Sequence, residues 1–203
     1  MKFTKMQGCG NDYVYVNCFE EKLEQVPELA RKISDRHYGI GSDGLILIKP
    51  STKADFIMDM YNSDGSKSQM CGNGIRCVAK YVYDYGLTNK QQISIETGAG
   101  IKSLDLKVSN NKVVEVTVDM GKPIMKSELI PVVSDLDEVI AMPITVLNQE
   151  YEMTCVSMGN PHAIVFVEDT KAVDIEKIGP LFEHHAMFPE RTNTEFIHVI
   201  NRN

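Results

Sequence analysis

The stretch with the most chemistry in it is Met70-Cys71-Gly72-Asn73-Gly74-Ile75-Arg76-Cys77. A cysteine stands beside a Gly-Asn-Gly turn, at the expected mouth of a helix running toward Gly86. The first turn of a helix leaves backbone N–H groups without intrahelical partners and carries a partial positive charge. That end favours negative groups, so it favours a thiolate over a thiol at Cys71 and an anionic substrate group at the neighbouring N–H donors. The competing reading is an inert buried cysteine; the Gly-Asn-Gly turn and the helix start weigh against it. Asn11, Asn62, Asn73 and Asn160 stand at glycine-flanked turns, where asparagine tolerates left-handed backbone. Taken one at a time they are turn formers. Taken together they describe an uncharged pocket that holds the ionic ends of a substrate through amides and backbone N–H groups.

The elements that must position these groups follow from patterning. Ile75, Cys77, Val78, Ala79, Tyr81, Val82, Tyr83 and Tyr85 leave Arg76, Lys80 and Asp84 as one narrow polar stripe, so the helix behind Cys71 is expected to be wrapped by other elements. Two strands flank the turn at residues 8–12, and a helix with proline in its first turn follows Pro27. Strands are expected at residues 45–48, 55–61, 93–96, 101–108, 113–118, 144–147, 151–156, 163–167 and 195–200, with a helix over 174–184. Residues 120–137 carry two prolines and no periodicity, placing a boundary near 118–123. The expected organisation is a first half, residues 1–118, built around the helix after Cys71, and a second half, residues 119–203.

Composition sets the class. The 203 residues carry a net charge of −7, with 43% hydrophobic and 24% charged residues, ordinary for a globular domain. No basic run suggests nucleic acid, and no apolar run reaches membrane-spanning length. Five cysteines without an export signal point to thiols in a reducing cytoplasm. No Cys-x-x-Cys pair supports zinc, and His184-His185 reads as a solvated helix end. No Walker or Rossmann fingerprint and no pyridoxal-phosphate lysine context is present, so no cofactor is expected.

A faint repeat links the halves. Gly10-Asn11-Asp12 precedes an apolar strand, as Gly159-Asn160-Pro161-His162 does, and each is followed by a short helix, a polar turn and a strand. Asp43 follows Asn11 by 32 residues and Asn193 follows Asn160 by 33. Carrying the 28-residue step from Asp43 to Cys71 over to Asn193 points past residue 203, so the second half is expected to lack its own central helix. Strand faces left uncovered there would favour self-association, with a homodimer as the simplest product.

Met6-Gln7-Gly8-Cys9-Gly10-Asn11-Asp12-Tyr13, Asn62-Ser63-Asp64-Gly65-Ser66, Cys71-Gly72-Asn73-Gly74-Ile75-Arg76-Cys77, Glu96-Thr97-Gly98-Ala99-Gly100, Gly159-Asn160-Pro161-His162 and Arg191-Thr192-Asn193-Thr194-Glu195-Phe196 occur in this order. The set resembles diaminopimelate epimerase over essentially the whole chain. The resemblance implies an α/β fold of the α+β type, with two pseudo-symmetric halves, each a set of strands around a central helix, the second incomplete here. It implies cofactor-independent interconversion of LL- and meso-diaminopimelate on the route to lysine and peptidoglycan, by two cysteines acting as base and acid on opposite faces of an α-carbon. Cys71 would be one of the pair. Gly72 and Asn73 would offer N–H donors to the α-carboxylate, and Asn11, Asn62, Asn160 and Asn193 would contact the substrate's polar groups.

Two departures stand out. Some members carry a glutamine in the loop that here reads Ser42-Asp43-Gly44. The family's second cysteine heads a Cys-Gly-Thr-Gly-like motif preceded by Glu-Arg-Gly, and residues 1–203 hold neither, so this polypeptide alone is expected to be inactive or impaired. The competing functions are a related amino-acid racemase of the proline-racemase kind, a non-catalytic ligand-binding remnant, and a thiol-redox protein.

Overall fold

A computed structural model of the chain describes residues 1–201. The fold is mixed α/β and sheet-dominated, in two compact units, Met1–Met120 and Gly121–Asn203.

In the first unit β1 (Thr4–Gly8) and β2 (Asn11–Asn17) form a hairpin, α1 (Val26–Ser34) crosses over, and β3 (Gly44–Pro50) returns parallel to β2. β4 (Phe56–Asn62) pairs antiparallel with β3 and carries the two-residue β5 (Lys67–Ser68) on one side. α2 (Gly72–Asp84) follows, then β6 (Gln92–Thr97), parallel to β4, and the antiparallel β7 (Gly100–Ser109) and β8 (Lys112–Val118). The sheet order is β1-β2-β3-β4-β6-β7-β8. α2 packs on β1 and β2 at one end of this order and on β7 and β8 at the other, so the sheet curls around it.

The period-2 alternation of strands explains why β2 and β3 read as continuous apolar runs. Tyr13 and Tyr15 of β2, with Ile46 and Ile48 of β3, face the core around α2. Val14, Val16, Leu45 and Leu47 face α1, against Ala30 and Ile33. Each fully buried aliphatic side chain contributes about 1.5–3 kcal/mol, so the two helices are held from opposite sides of the same strands. Gly39 ties α1 to the loop after it: a Cβ there would lie 2.3 Å from the Lys32 carbonyl oxygen, so only glycine fits.

Ile75, Cys77, Val78, Ala79, Tyr81 and Val82 of α2 are buried, as the apolar pattern requires. Tyr83 is half-buried, and Tyr85 is 62% exposed. Both are corrections to the expectation of burial: the helix ends at Asp84, and Tyr85 is its C-cap, stacked on Tyr81 with ring centroids 4.3 Å apart. The polar stripe faces the open edge of β8 as well as solvent. Lys80 donates to the Val113 carbonyl at 2.7 Å and pairs with Asp84 at 2.8 Å, while Asp84 accepts the Val113 N–H at 2.9 Å.

The second unit is a four-stranded sheet, in the order β12-β11-β10-β9, of β9 (Met142–Val146), β10 (Gln149–Ser157), β11 (Pro161–Phe166) and β12 (Asn193–Ile197). α3 (Ile175–Glu183) joins β11 to the parallel β12. Its Ile178 and Phe182 pack on Met153, Cys155, Ala163 and Val165, with Phe182 edge-on to Tyr151 and Phe196. The hairpin, crossover helix and parallel strand of β10, β11, α3 and β12 repeat the path of β1, β2, α1 and β3. β12 stops at Ile197, short of the expected residue 200, because its partner β11 ends opposite it at Phe166. Among the described residues, no helix is long and apolar enough to cross a membrane.

Candidate functional site

Cys71 is the N-cap of α2. Its backbone is extended (φ −140°, ψ 114°), and its Sγ accepts the Gly74 N–H at 3.3 Å. The site's precision begins at Gly74. A Cβ there would stand 2.8 Å from Ile46 Cδ1, so the glycine lets the first helical turn settle directly on β3. The Gly74 carbonyl also accepts from the buried Tyr15 hydroxyl at 3.5 Å. With the Gly74 N–H turned to sulfur, the N–H groups of Gly72 and Asn73 stand at the open helix end without intrahelical partners. Gly72 is spacious: a Cβ on it would meet only Met120 atoms, at 3.9 and 4.0 Å.

Tyr13, 5% exposed, lies in the core around α2, against which Cys71 packs. Burial first, and the neighbouring Cys71 second, push the Tyr13 hydroxyl well above its ordinary value, so it stays protonated beside the sulfur. Burial pushes Cys155 up to about 11 and raises Cys18 and Cys77 above the usual thiol value, which disfavours their thiolates. Cys9 is exposed in the β1–β2 turn, with Arg76 Nη2 at 3.5 Å from its Sγ.

Asn73 and Asn11 meet beside this helix end. Asn73 Nδ2 donates to Asn11 Oδ1 at 2.6 Å, and Asn11 Nδ2 donates to Asp43 Oδ2 at 3.4 Å. Arg76 donates to Asn73 Oδ1 at 2.5 Å and to the Gly72 carbonyl at 3.0 Å. Asp43 Oδ2 also accepts the Asp12 N–H at 3.1 Å. Arg36 spans Asp12 and Asp43, with Nη2 at 2.8 and 2.9 Å from their carboxylates, and Lys5 adds a contact to Asp12 at 3.0 Å. The Arg36 hydrogen bonds first, and Lys5 after them, outweigh desolvation and hold the Asp12 carboxyl far below the usual carboxylate range.

Of the residues singled out in the sequence, Asn11, Cys71, Gly72 and Asn73 come together here. Asn62, at the end of β4, closes its own turn by donating to Ser66 Oγ at 3.0 Å. Asn160 and Asn193 belong to the second unit, where both are exposed. Asn193 donates to the Pro161 carbonyl at 3.0 Å, in register with His162. His162 Nδ1 lies 2.7 Å from Glu195 Oε1. The sequence reading missed Tyr13, Arg36, Asp43 and Arg76 as members of the cluster. Arg76 carried a signal, since it follows Gly72 and Asn73 by four and three positions and so shares their helix face; Tyr13 carried none.

The sequence profile described as diaminopimelate epimerase matches residues 3–126 and 154–203. The protein from Agathobacter rectalis named diaminopimelate epimerase is 63% identical over 100% of this chain, which spans 74% of that relative. The protein of the same name from Acetivibrio thermocellus is 58% identical, with 100% of this chain and 72% of the relative covered. Among solved structures, a hydroxyproline epimerase from Agrobacterium vitis superposes with a TM-score of 0.58 at 15% identity, over 82% of this chain and 50% of that one. A probable proline racemase from Agrobacterium radiobacter does so with a TM-score of 0.59 at 13% identity, over 87% and 52%. These two share the fold; the sequence relatives fix the family. The chain belongs to the diaminopimelate epimerase family of isomerases.

Proposed function

We propose that Cys71 is one of two cysteines that exchange the α-proton of diaminopimelate without a cofactor, interconverting the LL and meso forms. The observation that carries this reading is the Cys71 N-cap: a sulfur that accepts a helix N–H at 3.3 Å, beside a protonated Tyr13, at an end with N–H donors to spare. A carbanion next to a carboxylate has no cofactor to delocalise into. Its charge must be met by fixed dipoles, and a helix N-terminus supplies them without reorganisation. In this reading the Gly72 and Asn73 N–H groups hold the α-carboxylate, and Asn11, Asn62, Asn160 and Asn193 contact the substrate's other polar groups. Thiolate Cys71 takes the proton, or thiol Cys71 returns it, depending on the isomer bound.

A single cysteine handles one face of the α-carbon, so residues 1–203 by themselves are impaired. The test is incubation of LL-diaminopimelate in D₂O, following α-hydrogen exchange and meso product together. Cys71→Ala removes all exchange. The 203-residue chain forms meso product at least about 100-fold more slowly than the full-length Agathobacter rectalis relative, the loss expected for one missing acid–base group. Full turnover by residues 1–203 overturns the impairment, and exchange that survives Cys71→Ala overturns the assignment of the base.

A further inference from the structure

We propose that Arg76 and Asp43 are positioning residues: they anchor the two ends of an amide relay that fixes which way the Asn11 and Asn73 side chains present their N–H donors to a ligand. This rests on the reading of Asn11 and Asn73 as substrate contacts.

An asparagine amide is nearly symmetric in shape, and only its partners decide which end is oxygen and which is nitrogen. In this cluster the partners leave one solution. A guanidinium donates and never accepts, so the end of Asn73 that faces Arg76 at 2.5 Å is its oxygen. That turns Asn73 Nδ2 toward Asn11, and the 2.6 Å contact requires an Asn11 oxygen. Asn11 Nδ2 then faces Asp43, and an ionised carboxylate only accepts; the distance is 3.4 Å. Every link runs in one sense, from the cation to the anion. Flipping either amide sets nitrogen against the guanidinium or oxygen against the carboxylate, and it opposes like ends at the shared link.

The result is donor-rich. Each amide spends one N–H and part of its oxygen on the relay and keeps one N–H for a further acceptor. Asn11 and Asn73 are both half-buried, so those hydrogens remain within reach of a ligand. A carboxylate suits two oriented donors and a helix N-terminus together, whereas an ammonium does not. The same guanidinium holds the Gly72 carbonyl at 3.0 Å, turning that oxygen away from the donors. Arg36 sits outside the relay. It holds Asp43 Oδ1 at 2.9 Å, leaving Oδ2 to be shared by Asn11 and the Asp12 N–H.

The test reads the amides directly. In ¹⁵N side-chain spectra of the 203-residue chain, assigned with Asn11→Asp and Asn73→Asp, each Nδ2 group is expected to show one proton protected from exchange. Asp43→Asn removes the protection at Asn11, and Arg76→Gln removes it at Asn73, each by about tenfold, the scale of one charge-assisted hydrogen bond. Arg76→Lys restores part of it, and Arg36→Gln leaves Asn11 unchanged. Calorimetry with LL-diaminopimelate then shows about tenfold weaker binding for Asp43→Asn and Arg76→Gln. Asp43→Asn keeps the test open where Arg76→Gln fails to fold. The inference is overturned by wild-type amides without protected protons, by amides indifferent to both substitutions, or by unchanged affinity once the amides have been released. Amides that respond as expected in a chain that takes up no diaminopimelate support the relay and overturn the proposed substrate instead, so the two failures are distinguishable.

Discussion

In the first unit Asp12 carries a backbone N–H, and the Asp43 carboxylate accepts it at 3.1 Å. In the second unit Pro161 stands at the matching place, without an N–H, and the Asn193 amide donates to its carbonyl at 3.0 Å. The path of the chain is the same: a hairpin, a crossover helix and a parallel strand whose first residue faces the start of the inner strand. The fastening is opposite in sign, because a proline can offer only an acceptor and an aspartate peptide offers a donor as well. The surroundings follow suit. Around Asp43 lie Arg36, Lys5 and Asp12, an ionic cluster; around Asn193 the contact is neutral, with His162–Glu195 beside it. Coverage differs too. β2 and β3 are buried on both faces, whereas β11 alternates, with Phe166 61% exposed. A repeated backbone therefore constrains topology and leaves burial and charge free to diverge.

The largest expected effect tests coverage. Ile46→Ala removes a fully buried side chain from a strand covered on both faces and costs about 2–5 kcal/mol in urea unfolding. Phe166→Ala, on the open face of β11, changes stability by about 0.5 kcal/mol or less. Equal losses would remove the contrast. The next tests the fastening. Asn193→Asp sets a carboxylate against the Pro161 carbonyl and, at this exposed position, lowers stability by about 0.5–1.5 kcal/mol, seen as a drop in the second unit's thermal midpoint; an unchanged midpoint would show the contact to be incidental. The smallest is a pH effect. Asp12 has a depressed folded-state value, so its pairing with Arg36 stabilises at neutral pH and is lost as pH falls through the acid range. Arg36→Met flattens that acid limb in unfolding scans from neutrality downward, and parallel limbs would count against the pair. The half-exposed guanidinium keeps the effect below the other two.

Much of this was legible in the sequence, for physical reasons that can be named. The N-cap role of Cys71 follows from Gly-Asn-Gly and the apolar run behind it. The double-faced strands announce themselves in Tyr13-Val14-Tyr15-Val16 and Leu45-Ile46-Leu47-Ile48, and α1 in Pro27. The repeat was legible through Gly-Asn and the 32- and 33-residue steps. What stayed hidden depends on long-range register. Nothing near Tyr13 says that a phenol from β2 meets the sulfur of a residue 58 positions on. Asp43 sits in a glycine-rich loop where carboxylates are common, and its role appears only once β3 is laid beside β2. Tyr85 misled because an aromatic in helical register reads as core, whereas a C-cap can leave a ring stacked at the surface.

The two-sided burial of β2 and β3 also has a meaning in time. Amides of a strand covered on both faces exchange only when the unit opens as a whole, whereas edge strands and turns exchange through local opening. Tyr15 and Ile46, which meet the first turn of α2 at Gly74, belong to that slow core. The half-exposed Cys71 is thus seated on strands expected to exchange slowest in its unit. Its thiol is expected to react with reagents without unfolding, while the amides of Tyr15 and Ile46 are expected to exchange only as the unit opens.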